Sequence, residues 1–152
     1  MQFITNSKTY NHKQAICELL EWAEKCVLCT SFLDRKGVKH LSRSISSGIE
    51  KRNLDIVIFS NGEKKYTQNS ATQAVASIKG LKHKVTNGKR RLHSKLYYFE
   101  KENNFIAIIG SANITHNGLI KNIEFSTKIN GVVGSNEHQA IQRNIKELEY
   151  EC

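Results

Sequence analysis

The chain has 152 residues, of which 39% are hydrophobic and 24% are charged, a composition typical of a compact globular protein. No apolar run approaches the roughly 18 residues of a membrane-spanning helix, and the first residues lack the layout of a secretory signal peptide. This excludes an integral membrane protein and predicts a cytoplasmic one. Lys and Arg outnumber Asp and Glu by 23 to 14, and the resulting formal charge of +9 favours a polyanionic partner such as nucleic acid.

The first half of the chain alternates between helical and strand patterns. Apolar residues recur at helical spacing over residues 12–25, 38–49 and 71–81, which predicts three helices. Residues 26–33 and 54–60 are apolar and β-prone, and they predict two buried strands. No proline, low-complexity tract or composition break divides the sequence, so residues 1–152 are predicted to form a single domain.

The second half is richer in strands. Residues 92–100 and 105–110 flank the polar stretch 101–104, which predicts a β-hairpin. Residues 123–129 alternate in polarity, and a final amphipathic helix carries Ile141, Ile145 and Leu148. Together these elements predict an α/β fold in which a mixed β-sheet is flanked by helices on both faces.

The predicted hairpin brings together side chains suited to phosphoryl chemistry. Residues two apart on a strand share a face, so His93 and Lys95 should project together, and Ser111 and Asn113 repeat that spacing beyond the partner strand. Glu124 lies on the polar face of the next strand and can join them. An imidazole can attack phosphorus, while the ammonium, hydroxyl and amide can bind the non-bridging oxygens. A carboxylate on the far ring nitrogen would fix the tautomer.

These residues resemble the HKD motif of the phospholipase D superfamily. His-x-Lys is a weak signal alone, but His93 and Lys95 are followed one hairpin later by Gly110, Ser111 and Asn113 in the order Gly-Ser-x-Asn. The resemblance is strongest over residues 91–125. It implies the phospholipase D-like fold with one motif per chain, as in the short bacterial endonucleases of this superfamily.

The segment that follows extends the resemblance, and two departures accompany it. In the family an Asn-x-Glu segment supplies the acidic partner, which corresponds to Asn122 and Glu124. Glu100 stands where the family has Asp, and the stretch from Glu100 to Gly110 is longer than usual, which fits a longer turn. Neither departure removes a group expected to touch phosphate.

The resemblance implies a two-step reaction that needs neither a metal nor another cofactor. One histidine attacks phosphorus, and a second protonates the leaving oxygen and later activates water. Because this chain has a single motif, we expect a homodimer that brings two copies of His93 together at its interface. Lys89, Arg90 and Arg91 precede the motif and are predicted to guide a nucleic-acid backbone toward it. No role is predicted for the other five histidines.

The leading hypothesis is an endonuclease that hydrolyses DNA, with RNA as a further substrate and a restriction-type enzyme as a close variant. The alternatives are a phospholipid-cleaving hydrolase of the phospholipase D type and a nucleic-acid-binding module with a vestigial site. Cys26 and Cys29 form a Cys-x-x-Cys pair without the remaining ligands of a zinc site, so they are interpreted as buried apolar side chains.

Overall fold

Seven strands and four helices follow one another along the computed structural model, which describes residues 1–152. In order they are β1 (Gln2–Thr5), α1 (His12–Trp22), β2 (Lys25–Thr30), α2 (Arg35–Arg52), β3 (Asp55–Ser60), α3 (Asn69–Ala76), β4 (Lys82–Val85), β5 (Leu96–Lys101), β6 (Asn104–Gly110), β7 (Phe125–Val132) and α4 (Asn136–Tyr150). A short π-helical turn (Asn117–Lys121) lies between β6 and β7.

The strands form one mixed sheet in the order β1-β7-β6-β5-β2-β3-β4. β2, β3 and β4 are parallel because helical crossovers connect them, α2 between β2 and β3 and α3 between β3 and β4. β5, β6, β7 and β1 are antiparallel to their neighbours. The β5–β6 hairpin pairs Leu96 with Ile109 and Lys101 with Asn104, so its turn consists of Glu102 and Asn103. The predicted hairpin is therefore confirmed, but the longer turn expected between Glu100 and Gly110 is wrong, because the additional residues extend the paired strands and leave a two-residue turn.

Side chains of β5 alternate between two hydrophobic cores. Tyr97 and Phe99 belong to a buried cluster that includes residues of α1, α2 and α3. Leu96 and Tyr98 belong to a second cluster with Ile141, Ile145 and Leu148 of α4. Helices therefore cover both faces of the sheet, which confirms the predicted fold class.

The first two helices are capped at their N-termini by side chains. Asn11 caps α1 and forms a capping box with Gln14. Asp34 caps α2, because its carboxylate accepts a hydrogen bond from the Gly37 N–H at 2.6 Å. The same carboxylate accepts a hydrogen bond from the His116 N–H at 3.3 Å. The start of α2 is thereby joined to the segment that follows the Gly-Ser-x-Asn motif.

Several predicted boundaries differ from the structure. The strand predicted from residue 92 begins only at Leu96, the strand predicted from residue 123 begins at Phe125, and the third helix ends at Ala76. β1 and β4 were not predicted, since each has four residues and only Ile4 of the eight is buried. Short, polar edge strands leave no periodic apolar pattern in a sequence.

The Cys-x-x-Cys pair is divided between the two cores. Cys26 belongs to the cluster beneath α1–α3 and Cys29 to the cluster beneath α4, and both are buried. Residues three apart on a strand point to opposite faces, so these sulfur atoms serve packing, as predicted.

Candidate active site

The His-x-Lys segment is an extended stretch that leads into β5. Residues 91–95 have no regular secondary structure, so His93 and Lys95 precede the strand on which the sequence placed them. The Lys95 carbonyl accepts a hydrogen bond from the Gly110 N–H at 3.4 Å, which puts Lys95 beside the residue that precedes Ser111. Its ammonium donates to the His93 carbonyl at 2.8 Å, and the imidazole of His93 is exposed.

Ser111 and Glu124 contact each other directly across the ends of β6 and β7. The Ser111 hydroxyl donates a hydrogen bond to the Glu124 carboxylate and accepts one from the Phe125 N–H at 3.1 Å. The Asn122 side-chain amide donates to the other carboxylate oxygen of Glu124 at 3.2 Å. The carboxylate is therefore oriented by two side chains of the predicted motif.

Asn113 is fixed by the end of β2. Its Oδ1 accepts a hydrogen bond from the Phe32 N–H at 3.0 Å. With the oxygen engaged in this way, Nδ2 makes no hydrogen bond within the protein and is free to donate to a ligand. Nearby, the Tyr97 hydroxyl donates to the Ala112 carbonyl at 2.5 Å, which connects the motif to the core of the sheet.

A buried polar network, which no local sequence pattern indicates, lies next to the Asn122–Ser126 segment that carries Glu124. His12 is fully buried; its Nδ1 lies 2.8 Å from Asn6 Oδ1 and its Nε2 lies 2.8 Å from Ser126 Oγ. Because an amide oxygen only accepts, Nδ1 donates and Nε2 accepts from the serine hydroxyl. Asn6 in turn donates to the carbonyls of Gly118 (2.9 Å) and Asn122 (3.1 Å). Burial lowers the pKa of His12, and the charge of nearby Glu124 opposes this shift.

The structure thus brings Ser111, Glu124 and Asn122 together, places Lys95 beside Gly110, and leaves the His93 side chain without a hydrogen bond to any of them. His93 also borders a cavity of about 260 Å³ between the residues that precede β5 and helix α4. Backbone hydrogen bonds from Gly110 to Lys95 and from Ser111 to Phe125 place the backbones of the five predicted catalytic residues near the end of the hairpin where β5 begins and β6 ends. Their chemical roles are considered below.

The three basic residues ahead of the motif differ in their surroundings. Arg90 forms ion pairs with Glu147 (2.6 Å) and Glu151 (3.3 Å) of α4. Arg91 lies 3.8 Å from a Glu63 carboxylate oxygen, whereas Lys89 is exposed and forms no ion pair. The positive charge of Arg90 is therefore largely compensated within the protein.

A denser basic surface lies on α1 and α2, where the sequence showed only scattered charges. A cavity of about 560 Å³ is lined by Lys13, Lys36, Lys39, His40, Arg43 and His116, together with Cys17 and Ser44. His40 Nε2 and His116 Nδ1 lie 2.8 Å apart, so one ring donates to the other. Burial, the charge of Lys13 and the neighbouring His116 lower the pKa of His40. We call this group of residues the α1–α2 basic surface.

No three His, Cys, Asp or Glu side chains are grouped so that they could share a metal ion. None of the helices combines the length and the apolar character needed to cross a bilayer.

Comparison with known proteins agrees with this architecture. Residues 48–150 match the family model described as the NgoFVII restriction endonuclease N-terminal PLD domain. Among curated proteins, no relative matches the chain in sequence.

Solved structures share the whole fold at low sequence identity. NucT from Helicobacter pylori superposes with a TM-score of 0.70 at 14% identity, covering 99% of this chain and 96% of NucT. Nuc from Salmonella typhimurium, a phospholipase D family member, gives a TM-score of 0.72 at 14% identity, covering 99% and 91%. The polyphosphate kinase from Porphyromonas gingivalis also gives 0.72, at 8% identity, but only 26% of that chain is covered.

Proposed function

Because this chain belongs to the family of the NgoFVII restriction endonuclease N-terminal PLD domain, it is an enzyme of the phosphodiesterase and endonuclease class, and we propose that it hydrolyses DNA through a phosphohistidine on His93. The proposal further specifies a reaction without a metal ion and an active homodimer with the site at its interface. RNA is the further substrate that the same chemistry would accept.

The observation that carries the proposal is the Ser111–Glu124 hydrogen bond beside Lys95 and Asn113. A hydroxyl, a side-chain amide with a free N–H and an ammonium group surround the end of the hairpin that His93 approaches. Hydrogen-bond donors and a positive charge are what the non-bridging oxygens of a phosphate require as charge develops on them.

In the proposed first step the neutral imidazole of His93 attacks phosphorus. A phosphorus–nitrogen bond forms, the bond to the leaving oxygen breaks, and the second histidine donates its proton to that oxygen. In the second step the same histidine takes a proton from water, the resulting hydroxide attacks phosphorus, and the phosphorus–nitrogen bond breaks. The proposed roles of Lys95, Ser111 and Asn113 are to bind the phosphate oxygens in both steps. Glu124 would stabilise the positively charged ring.

An exposed apolar surface next to Glu124 supports the proposed homodimer. Ile123 is fully exposed at 104% of its reference area, and Phe125 is 59% exposed and stacks on Phe3 with ring centroids 5.2 Å apart. Apolar side chains of this size at the edge of a polar site are typical of a surface covered in the assembled protein. A symmetric contact there would bring the two copies of the motif toward each other.

The basic charge supports nucleic acid as the substrate over a lipid. The net charge of the chain is +9, and the α1–α2 basic surface gathers four of its Lys and Arg side chains in one place. Neutralisation of backbone phosphates by such groups provides most sequence-independent affinity.

The decisive experiment is plasmid digestion in EDTA by the wild type, by His93→Ala and by the control variant His138→Ala, which changes a histidine on α4. We expect the wild type and the control to cut the plasmid, and His93→Ala to bind DNA without cutting it. Loss of wild-type activity in EDTA would contradict the metal-free mechanism, and full activity of His93→Ala would contradict the nucleophile. Phosphatidylcholine in parallel tests the lipid alternative, and discrete plasmid fragments would indicate a restriction-type enzyme.

A further inference from the structure

Phe32 is an exposed aromatic residue whose backbone is bonded to a residue of the site. It follows the end of β2, its side chain belongs to neither hydrophobic core, and it is 39% exposed. Its N–H is the group that fixes Asn113 Oδ1 at 3.0 Å. The backbone of Phe32 is therefore held against Asn113, one of the residues proposed to bind phosphate.

Tyr66 supports the Phe32 ring from the side. The two rings meet edge to face, with centroids 4.6 Å apart and planes at 86°. Tyr66 belongs to the connection between β3 and α3, and its carbonyl accepts a hydrogen bond from the Leu33 N–H at 2.9 Å. The Gln68 N–H donates to the Leu33 carbonyl at 3.4 Å, so backbone hydrogen bonds on both sides hold the aromatic pair in place.

The two rings border a cavity of about 350 Å³ that opens next to Asn113. Besides the rings, the cavity is lined by Leu33 and by the polar or charged residues Asp34, Lys65, Gln68, Asn113, Thr115, Asn117 and Asn122. An aromatic face surrounded by groups that both donate and accept hydrogen bonds is suited to a nucleobase, which has a π face and a polar edge.

Two cations lie over Tyr66 between this cavity and the His-x-Lys segment. Lys65 Nζ is 4.9 Å and Arg91 Cζ is 5.4 Å from the ring centroid, and Arg91 is two residues from His93. Both cations lie near the Glu63 carboxylate, at 3.5 Å for Lys65 Nζ and 3.8 Å for Arg91 Nε. Because both side chains are more than half exposed, these long ion pairs leave them able to turn toward phosphates on either side of a bound base.

We propose that Phe32, supported by Tyr66, is a stacking platform for an unpaired nucleobase adjacent to the scissile phosphate. The proposal rests on the proposed nuclease function and specifies its substrate. In a duplex the neighbouring base pairs cover both faces of each base, so only a single-stranded or extruded nucleotide can stack on Phe32. The enzyme therefore prefers single-stranded to double-stranded DNA.

The test compares a single-stranded oligothymidylate with an abasic oligonucleotide of the same length and backbone. Removing one stacked base contact costs about 5- to 150-fold, so Phe32→Ala should lower kcat/KM on oligothymidylate by that factor. On the abasic strand Phe32→Ala should equal the wild type, because there is no base to stack. Phe32→Trp should retain activity on both, and Tyr150→Ala, which removes an exposed aromatic residue of α4, should change neither.

Equal losses on the two strands would overturn the proposal, since Phe32 would then act only through the position of Asn113. Phe32→Leu provides a second variant that keeps an apolar side chain without a ring. The binding of both strands to His93→Ala, with and without the Phe32 change, measures stacking independently of the chemistry. A wild type that cleaves neither strand while this binding difference persists would contradict the proposed function alone. If cleavage depends on His93 but Phe32→Ala changes neither cleavage nor binding, the stacking platform alone would be contradicted.

Discussion

The hydroxyl of Ser111 donates a hydrogen bond to the carboxylate of Glu124, a residue 13 positions later in the chain. The contact joins the end of β6 to the start of β7, and the backbone repeats the connection, because the Ser111 N–H donates to the Phe125 carbonyl at 3.3 Å. The acid and the hydroxyl of the site therefore depend on one another for their positions.

This dependence predicts that the two residues act as a unit. Ser111→Ala and Glu124→Ala should each lower kcat, and the double variant should lose clearly less than the product of the two single losses. Residues in direct contact typically show a coupling free energy of about 0.5–3 kcal/mol. A double-mutant cycle on kcat/KM would measure this coupling free energy for Ser111 and Glu124. Ser77→Ala, which changes a serine that follows α3 and lies outside the site, is the matched control. Strictly additive effects would show that the hydrogen bond has no part in turnover.

The exposed apolar residue Ile123 predicts how assembly can be disrupted. Ile123→Asp should convert a dimer into a monomer by introducing a charge into an apolar contact, and activity should fall in proportion to the dimer fraction. Sedimentation velocity and plasmid cleavage over a dilution series measure both quantities. Tyr150→Asp, which places the same charge on a position of α4 that is 86% exposed, should leave both unchanged. A fully active monomer of Ile123→Asp would contradict the shared site.

Arg90 forms ion pairs with acidic residues of α4, whereas Lys39 of the α1–α2 basic surface forms no ion pair, and this difference predicts different effects on DNA binding. Lys39→Gln should weaken the binding of every sequence alike and reduce the salt dependence by about one phosphate contact. Arg90→Gln should change the salt slope much less, because Glu147 and Glu151 already compensate its charge. Fluorescence anisotropy at several salt concentrations distinguishes the two, and a larger effect of Arg90→Gln would place the DNA along α4 instead.

The buried imidazole of His12 predicts a pH-dependent stability. Its pKa is lowered by burial, so the unfolded chain binds a proton more readily than the folded one. The stabilisation is complete above the ordinary pKa of histidine and is lost as the pH falls toward the lowered value. The free energy of unfolding should therefore decrease by up to about 1.4 kcal/mol per pH unit from this residue.

His12→Gln, which cannot be protonated, should lose less stability than the wild type between about pH 7.5 and pH 5.5 in urea denaturation. His40 and His83 also have pKa values lowered by burial, but they are present in both proteins and cancel in the comparison. Identical pH slopes for the two proteins would show that His12 is readily protonated in the folded state.

The edge strands show why parts of the fold could not be predicted. The helical periods of α1 and α2 and the apolar runs of β2 and β3 are local patterns, and the structure confirms each of them. β1 pairs with β7, more than a hundred residues away, through a mostly exposed segment of four residues. Such a strand exists because a partner offers hydrogen bonds, which no local pattern reveals.

β7 is a strand whose existence was predicted but whose pattern of buried and exposed residues was not. The alternation of polar and apolar residues predicts the strand, yet Phe125 is exposed and Ser126 is buried. Ser126 is buried because His12 reaches it from α1, and this contact spans 114 residues. The surface left to Phe125 and Ile123 is the one for which we propose a second subunit.

The sequence alone determined the α/β alternation of the first half and the hairpin of the second, and it indicated the residues that we propose to bind phosphate, because each of these depends on residues close together in the chain. Only the tertiary structure decided that His12 bonds to Ser126 and Asn6 to the Asn122 carbonyl, that Arg90 is paired with α4, and that Phe32 and Tyr66 lie beside Asn113. These relationships arise where distant segments pack together. The physical reason is that a side chain's hydrogen bonds and exposure are set by its neighbours in space, which local spacing does not specify.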